Sequence, residues 1–197
     1  MDHKKRILDT AREMFLNYGY SKTSMLGISK NLGISKKTIY TYFDSKEDLL
    51  EKIISNFFTG IKKESENIYN SGNLEFKEKL QAIFTLVGTK LSAINPQFID
   101  DISNNAPQAW QKMQIIKQEI AFEGFYKLLE EGQKKGFVNK KINKSLVVLT
   151  YISAIETLII PSFTKQVPLK MINEMPISTK GIFEGLMEII FDGITER

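Results

Sequence analysis

The run Ser24-Met25-Leu26-Gly27-Ile28-Ser29-Lys30-Asn31-Leu32-Gly33-Ile34-Ser35-Lys36-Lys37-Thr38-Ile39-Tyr40-Thr41-Tyr42-Phe43 decides how the N-terminal part of this chain folds. Ser24 can cap a short helix that carries Met25, Ile28 and Leu32, and Gly33 stops it by permitting a left-handed turn. Ser35 opens a second short helix with Ile39 and Phe43 on one face. Ile28, Ile34 and Ile39 can wedge the two helices together, and the pair has the dimensions of a helix-turn-helix. The outer face of the second helix then offers Lys36, Lys37, Thr38, Tyr40, Thr41 and Tyr42. Lysines can donate to guanine O6 and N7, and threonine methyls can touch thymine methyls. The hydroxyls of Ser35, Thr38 and Tyr42 and the ammonium of Lys46 suit phosphate positioning. Ser24, at the head of the first helix, completes the set of DNA-facing candidates.

Working outward, helical periodicity continues in both directions. Ile7, Ala11, Met14 and Phe15 make residues 4–18 an amphipathic helix ending at Gly19. Ser45 caps a longer helix with Leu49, Leu50, Ile53, Phe57 and Ile61 inward, and Glu47 and Asp48 suit its positive N-terminal dipole. Asn70-Ser71-Gly72-Asn73 is a break. Beyond it, Leu80, Ile83, Phe84, Val87 and Leu91 form a stripe that ends before Pro96. One long helix is expected from about Pro107 to Lys135, with two apolar faces. Trp110, Met113, Ile120, Gly124 and Leu128 form the first face, and Ile115, Phe122, Tyr126 and Leu129 the second. Residues 145–160 are apolar nearly all round and stop at Pro161. Residues 178–195 offer Ile182, Phe183, Leu186, Met187, Ile190 and Ile194. With no period-two pattern of useful length, the fold should be all-α. The expected organisation is a three-helix helix-turn-helix domain over 1–46, joined to a larger helical body over 47–197.

Charge separates the same two parts. Residues 1–43 hold eight Lys/Arg against three acids, a balance of +5 that leaves the remaining chain at −1. A basic head on a near-neutral body points to a polyanionic partner. The apolar share of 42% and charged share of 25% are those of a globular protein. No apolar run approaches the roughly 20 residues of a membrane span, and no apolar signal core follows the basic N-terminus. Cytoplasmic residence is the expectation. Without cysteine there are no disulfides or thiolate metal sites.

Residues 4–52 resemble the DNA-binding head of the TetR family of transcriptional regulators. The resemblance rests on the run from Gly33 to Phe43 and on Ser45-Lys46-Glu47-Asp48-Leu49-Leu50. Ala11, Phe15, Gly19-Tyr20, Ser24 and Ile28 also stand at matching positions. By this similarity Tyr42 and Lys46 would contact phosphates, and Lys36 would lie against base edges. The resemblance further implies a homodimer joined through its last two helices on a double-stranded, pseudo-palindromic operator. It also implies a small-molecule effector in the C-terminal body and a coupling helix over 46–70. Three departures stand out. Lys37 replaces a usual glycine, Gly27 replaces a frequent acid, and Ser29 and Leu32 replace usual alanines.

Effector candidates are Phe84, Trp110, Met113, Phe122, Tyr126 and Tyr151, although aromatic and Met residues at helical spacing usually form core. Glu156 interrupts a nearly all-apolar helix, and a buried carboxylate needs a partner or a raised pKa. It favours a lipophilic effector, slightly one with a cationic centre. His3 is alone in a basic tail, and Asp100-Asp101 read as a cap rather than a metal site. No catalytic constellation, metal site or cofactor loop is expected. An accessory DNA-binding protein with a protein partner is the alternative, and an all-helical enzyme a third reading.

Overall fold

The computed structural model describes residues 3–92, 94–159, 167–176 and 178–194. Every regular element among them is helical. In chain order these are α1 (His3–Tyr18), α2 (Met25–Leu32), α3 (Lys36–Tyr40), α4 (Lys46–Tyr69), α5 (Phe76–Ser92), α6 (Pro96–Asn105) and α7 (Pro107–Lys117). A π-helical segment (Gln118–Glu123) follows, then α8 (Gly124–Lys135), α9 (Lys144–Ile159), α10 (Leu169–Glu174) and α11 (Thr179–Ile194). No helix among the described residues is long and apolar enough to cross a membrane.

The chain divides into two compact units. The first joins residues 1–60 to residues 94–116, and the second joins 61–93 to 117–197. Helices α6 and most of α7 therefore pack with the N-terminal helices, although they lie far along the chain. Ile7, Ala11 and Phe15 of α1 are fully buried, with Ile28, Ile39, Leu49, Leu50, Ile102, Ala106 and Ala109. Phe15 meets Tyr20 edge-on at 5.4 Å between ring centroids. On α4 the buried positions are Leu50, Ile54 and Phe58, while Ile53 and Phe57 are only half-buried. The sequence offers Ile53-Ile54 and Phe57-Phe58 as adjacent apolar pairs, so periodicity alone cannot choose between them.

The second unit has its own core of Phe76, Leu80, Phe84, Phe125, Leu129, Tyr151 and Phe183 with their neighbours. Helix α5 packs closely on α11. A Cβ at Gly88 would stand 2.9 Å from Phe183 Cγ, so only glycine allows this approach.

One expectation is corrected here. The helix predicted over 107–135 is interrupted by the π-helical segment, whose wider turns add about one residue each and rotate the following face by about 100°. Phe125, Leu128, Leu129 and Gly132 are accordingly buried, whereas Tyr126 and Ile115 are exposed. In α11, Phe183 and Met187 belong to the unit's own core, and Ile189 is exposed at 72%. In α9, Val148, Tyr151 and Ile152 turn inward, and Leu146 and Leu149 are exposed. Ile160, Pro161 and the side chains of Glu156, Ile190 and Ile194 lie outside the described residues.

Candidate nucleic-acid interface

The helix-turn-helix is built by three local devices. Ser24 holds an extended backbone and its Oγ accepts from Gly27 N–H at 3.0 Å, capping α2. Gly33 ends that helix at φ 66°, the left-handed region that favours glycine. Ser35 then caps α3 by accepting from Thr38 N–H at 3.0 Å. Ile28 and Ile39 are fully buried between these helices and the rest of the first unit.

The caps engage most of the hydroxyls predicted to face DNA. Ser35 Oγ and Thr38 Oγ1 share a hydrogen bond of 2.9 Å, and Thr41 Oγ1 donates to Thr38 O at 2.6 Å. Lys46 is engaged as well. Its ammonium donates to Tyr20 O at 2.9 Å and Thr23 O at 3.0 Å, and lies 4.0 Å from the Tyr20 ring centroid. Burial lowers its pKa, and the Asp101 charge works the other way. The resemblance implies a phosphate contact for Lys46; in the structure its ammonium is held against the α1–α2 loop. Lys36, Lys37, Tyr40 and Tyr42 remain outward and exposed, with Lys36 Nζ 5.8 Å from the Tyr40 ring centroid.

Two acids missed as site residues fix this head to α6 and α7. Asp101 Oδ2 accepts from Ser21 N–H at 2.9 Å, and Asn105 Nδ2 donates to Asp101 Oδ1 at 2.9 Å. Burial raises the Asp101 pKa, but the hydrogen bonds from Ser21 and Asn105 outweigh it and hold the carboxyl below its ordinary value. Glu47 Oε1 accepts from Gln108 N–H at 2.8 Å and Ala109 N–H at 3.2 Å, so it caps α7 rather than its own helix. Asp101 was readable only as a cap, because its partner lies 80 residues away in sequence.

Residues 7–53 match the family model described as bacterial regulatory proteins, tetR family. The chain is 28% identical over 192 residues to the uncharacterized HTH-type transcriptional regulator YvaF of Bacillus subtilis, covering 97% of this chain and 95% of that protein. The N-terminal part of the chain thus matches the TetR family model, and nearly the whole chain is similar to a transcriptional regulator. The relatives it matches are named as transcriptional regulators. A segment of 55 residues is 36% identical to IcaR of Staphylococcus epidermidis, a negative transcriptional regulator of a biofilm operon, over 28% of this chain and 30% of IcaR. The fold is shared with Bacillus subtilis FadR, whose crystal structure holds stearoyl-CoA. The TM-score is 0.68 at 20% identity, covering 96% of this chain and 98% of FadR.

The residues proposed from sequence for the effector fall in both units. Trp110 and Met113 lie in the first unit, half-buried and buried respectively. Phe84 and Tyr151 meet in the second unit at 4.8 Å between centroids, and Phe122 packs against the same core. Tyr126 is exposed and lines an open apolar groove of about 410 Å³ with Phe122, Val148 and Leu149. Among the described residues no group of three His, Cys, Asp or Glu could hold a metal ion.

Proposed function

We propose that this chain is a homodimeric repressor, working in the cytoplasm, that a small lipophilic effector releases from a pseudo-palindromic operator. Residues 1–46 would read DNA, and residues 47–197 would bind the effector and dimerise. The observation that carries the DNA-reading part is the outward set of Lys36, Lys37, Tyr40 and Tyr42 on a helix whose opposite face, at Ile39, is buried. Lysines at the start of a recognition helix suit base edges and phosphates alike. A dimer would set its two recognition helices in successive major grooves, about 34–36 Å apart or a multiple of that. An effector that favours another spacing lowers operator affinity by linkage.

The negative regulation named for IcaR supports repression, and the acyl ligand bound by FadR supports a lipophilic effector. The exposed Leu146 and Ile189 on α9 and α11 support dimerisation through those helices. A binding titration across salt concentrations tests the proposal. If a dimer neutralises about eight phosphates, the log–log slope should be near −7. A slope close to zero would count against DNA binding, and a stoichiometric protein partner with no releasing compound would favour the accessory-protein reading.

A further inference from the structure

The second unit buries a hydroxyl that its own atoms leave unsatisfied. Tyr151 is 5% exposed, and among the described residues its Oη has no hydrogen-bond partner. Its ring packs against Phe84 at 4.8 Å, Phe125 at 5.1 Å and Phe183 at 6.5 Å between centroids. Phenylalanine would fill this place without the cost of a buried, unpaired hydroxyl, as three neighbouring residues already do. Burial pushes the phenol pKa far above its ordinary value, so the group stays protonated and acts as a donor.

The core that holds it shares a wall with an apolar groove. The apolar groove of about 410 Å³ is within the usual range for small-molecule sites. Val148 both lines the groove and belongs to the buried core, one helical turn before Tyr151 on α9. The π-helical segment supplies Phe122 and Glu123 to the groove, and such segments recur at functional sites because their hydrogen bonding departs from the regular helix. The charges near the groove are paired, Lys127 with Glu123 at 3.7 Å and Lys144 with Glu130 at 3.8 Å. The described core offers no charged group that would repay an ion for its lost water.

We propose that the groove and the Tyr151 hydroxyl together form the effector site, and that the effector is a neutral, flat, apolar molecule bearing one carbonyl-type acceptor. The molecule lies between the π-helical segment and α9, and its acceptor passes Val148 to receive the Tyr151 Oη–H hydrogen bond. The inference rests on the effector-responsive reading above, and it replaces the cationic preference drawn from Glu156.

The test is calorimetric titration of the full chain with 9-fluorenone and with fluorene, which share a shape and differ by the carbonyl. The wild-type protein should bind the ketone about tenfold more tightly than the hydrocarbon. Tyr151→Phe should erase that preference while its thermal midpoint holds or rises by about 2–4 °C. Tyr126→Ser, at an exposed groove position, should weaken both compounds. Equal wild-type affinities, a preference that survives in Tyr151→Phe, or binding of neither compound would each overturn the inference. A surviving preference would mean that the hydroxyl meets only water. Operator binding, measured on the same samples, separates the two readings. A Tyr151-dependent preference without operator release upholds the site and removes its regulatory role. Normal operator binding with no binding of either compound removes the site alone.

Discussion

Replacing Lys46 by methionine distinguishes a phosphate ligand from an internal staple. The ammonium makes two hydrogen bonds, to Tyr20 O and Thr23 O, and a ring contact with Tyr20. Hydrogen bonds to a charged group are worth about 1.5–3 kcal/mol each, and a partly exposed cation–π contact about 0.5–1 kcal/mol. Because the site is only partly buried, water recovers some of this, and a net loss of about 2–3 kcal/mol is expected. For a chain of this length that lowers the thermal midpoint by about 4–12 °C. Methionine keeps the apolar stem, so the loss reports the ammonium. The assay pairs scanning calorimetry with operator titrations across salt. A staple predicts lower stability and an unchanged salt slope at temperatures where the variant is folded. A phosphate ligand predicts unchanged stability and a slope shallower by about 0.9 per protomer. An unaltered midpoint together with the shallower slope would refute the role assigned to Lys46.

Lys36→Ala should change the preference among operator bases by about 1–3 kcal/mol in competition titrations, whereas Tyr42→Phe should weaken all operators alike. Equal losses from both changes would remove Lys36 from base reading. Ile189→Glu, at an exposed position on α11, should yield folded monomers with weakened operator binding in sedimentation and titration. Met187→Glu should instead unfold the second unit, since Met187 is in its core. The depressed Asp101 carboxyl should contribute stability that is present above its unfolded pKa near 3.8 and lost as pH falls through and below it. Urea midpoints measured between about pH 6 and about pH 3 should therefore fall less in Asp101→Ala than in the wild-type protein.

What the sequence made legible follows from where the determining contacts lie. Ser24, Gly33 and Ser35 act on backbone groups within five residues of themselves, so the helix-turn-helix can be read directly from its caps. The all-helical class follows equally from period. The π-helical segment was not legible, because a 3.6-residue pattern is extrapolated through it and emerges rotated, exchanging Phe125 for Tyr126. Glu47 and Asp101 were misjudged for another reason. Their partners, at Gln108, Ala109 and Ser21, lie 61, 62 and 80 residues away, and nothing local distinguishes them from ordinary surface acids. The effector candidates fall in both units because aromatic periodicity marks buried faces without saying which core each face enters.

The five residues of α3 explain why so few groups remain to meet DNA. A helix this short cannot hold itself in water, since nucleation is costly and few intrahelical bonds can form. Its hydroxyls therefore serve the helix: Ser35 caps it, Thr38 pairs with Ser35, and Thr41 returns to Thr38 O. Ile39 anchors it from below with no exposed surface. A group held in such a bond can still accept or donate once more, but its direction is already fixed by the helix. On the proposed reading, sequence discrimination would fall chiefly to Lys36 and Lys37, whose long side chains are exposed. Lysine is a point donor without the fork that gives arginine bidentate geometry, so it favours guanine acceptors while tolerating displacement. The operator should accordingly present guanine where α3 begins, and its remaining selectivity should come from the Tyr40 and Tyr42 rings and from the shape of the groove.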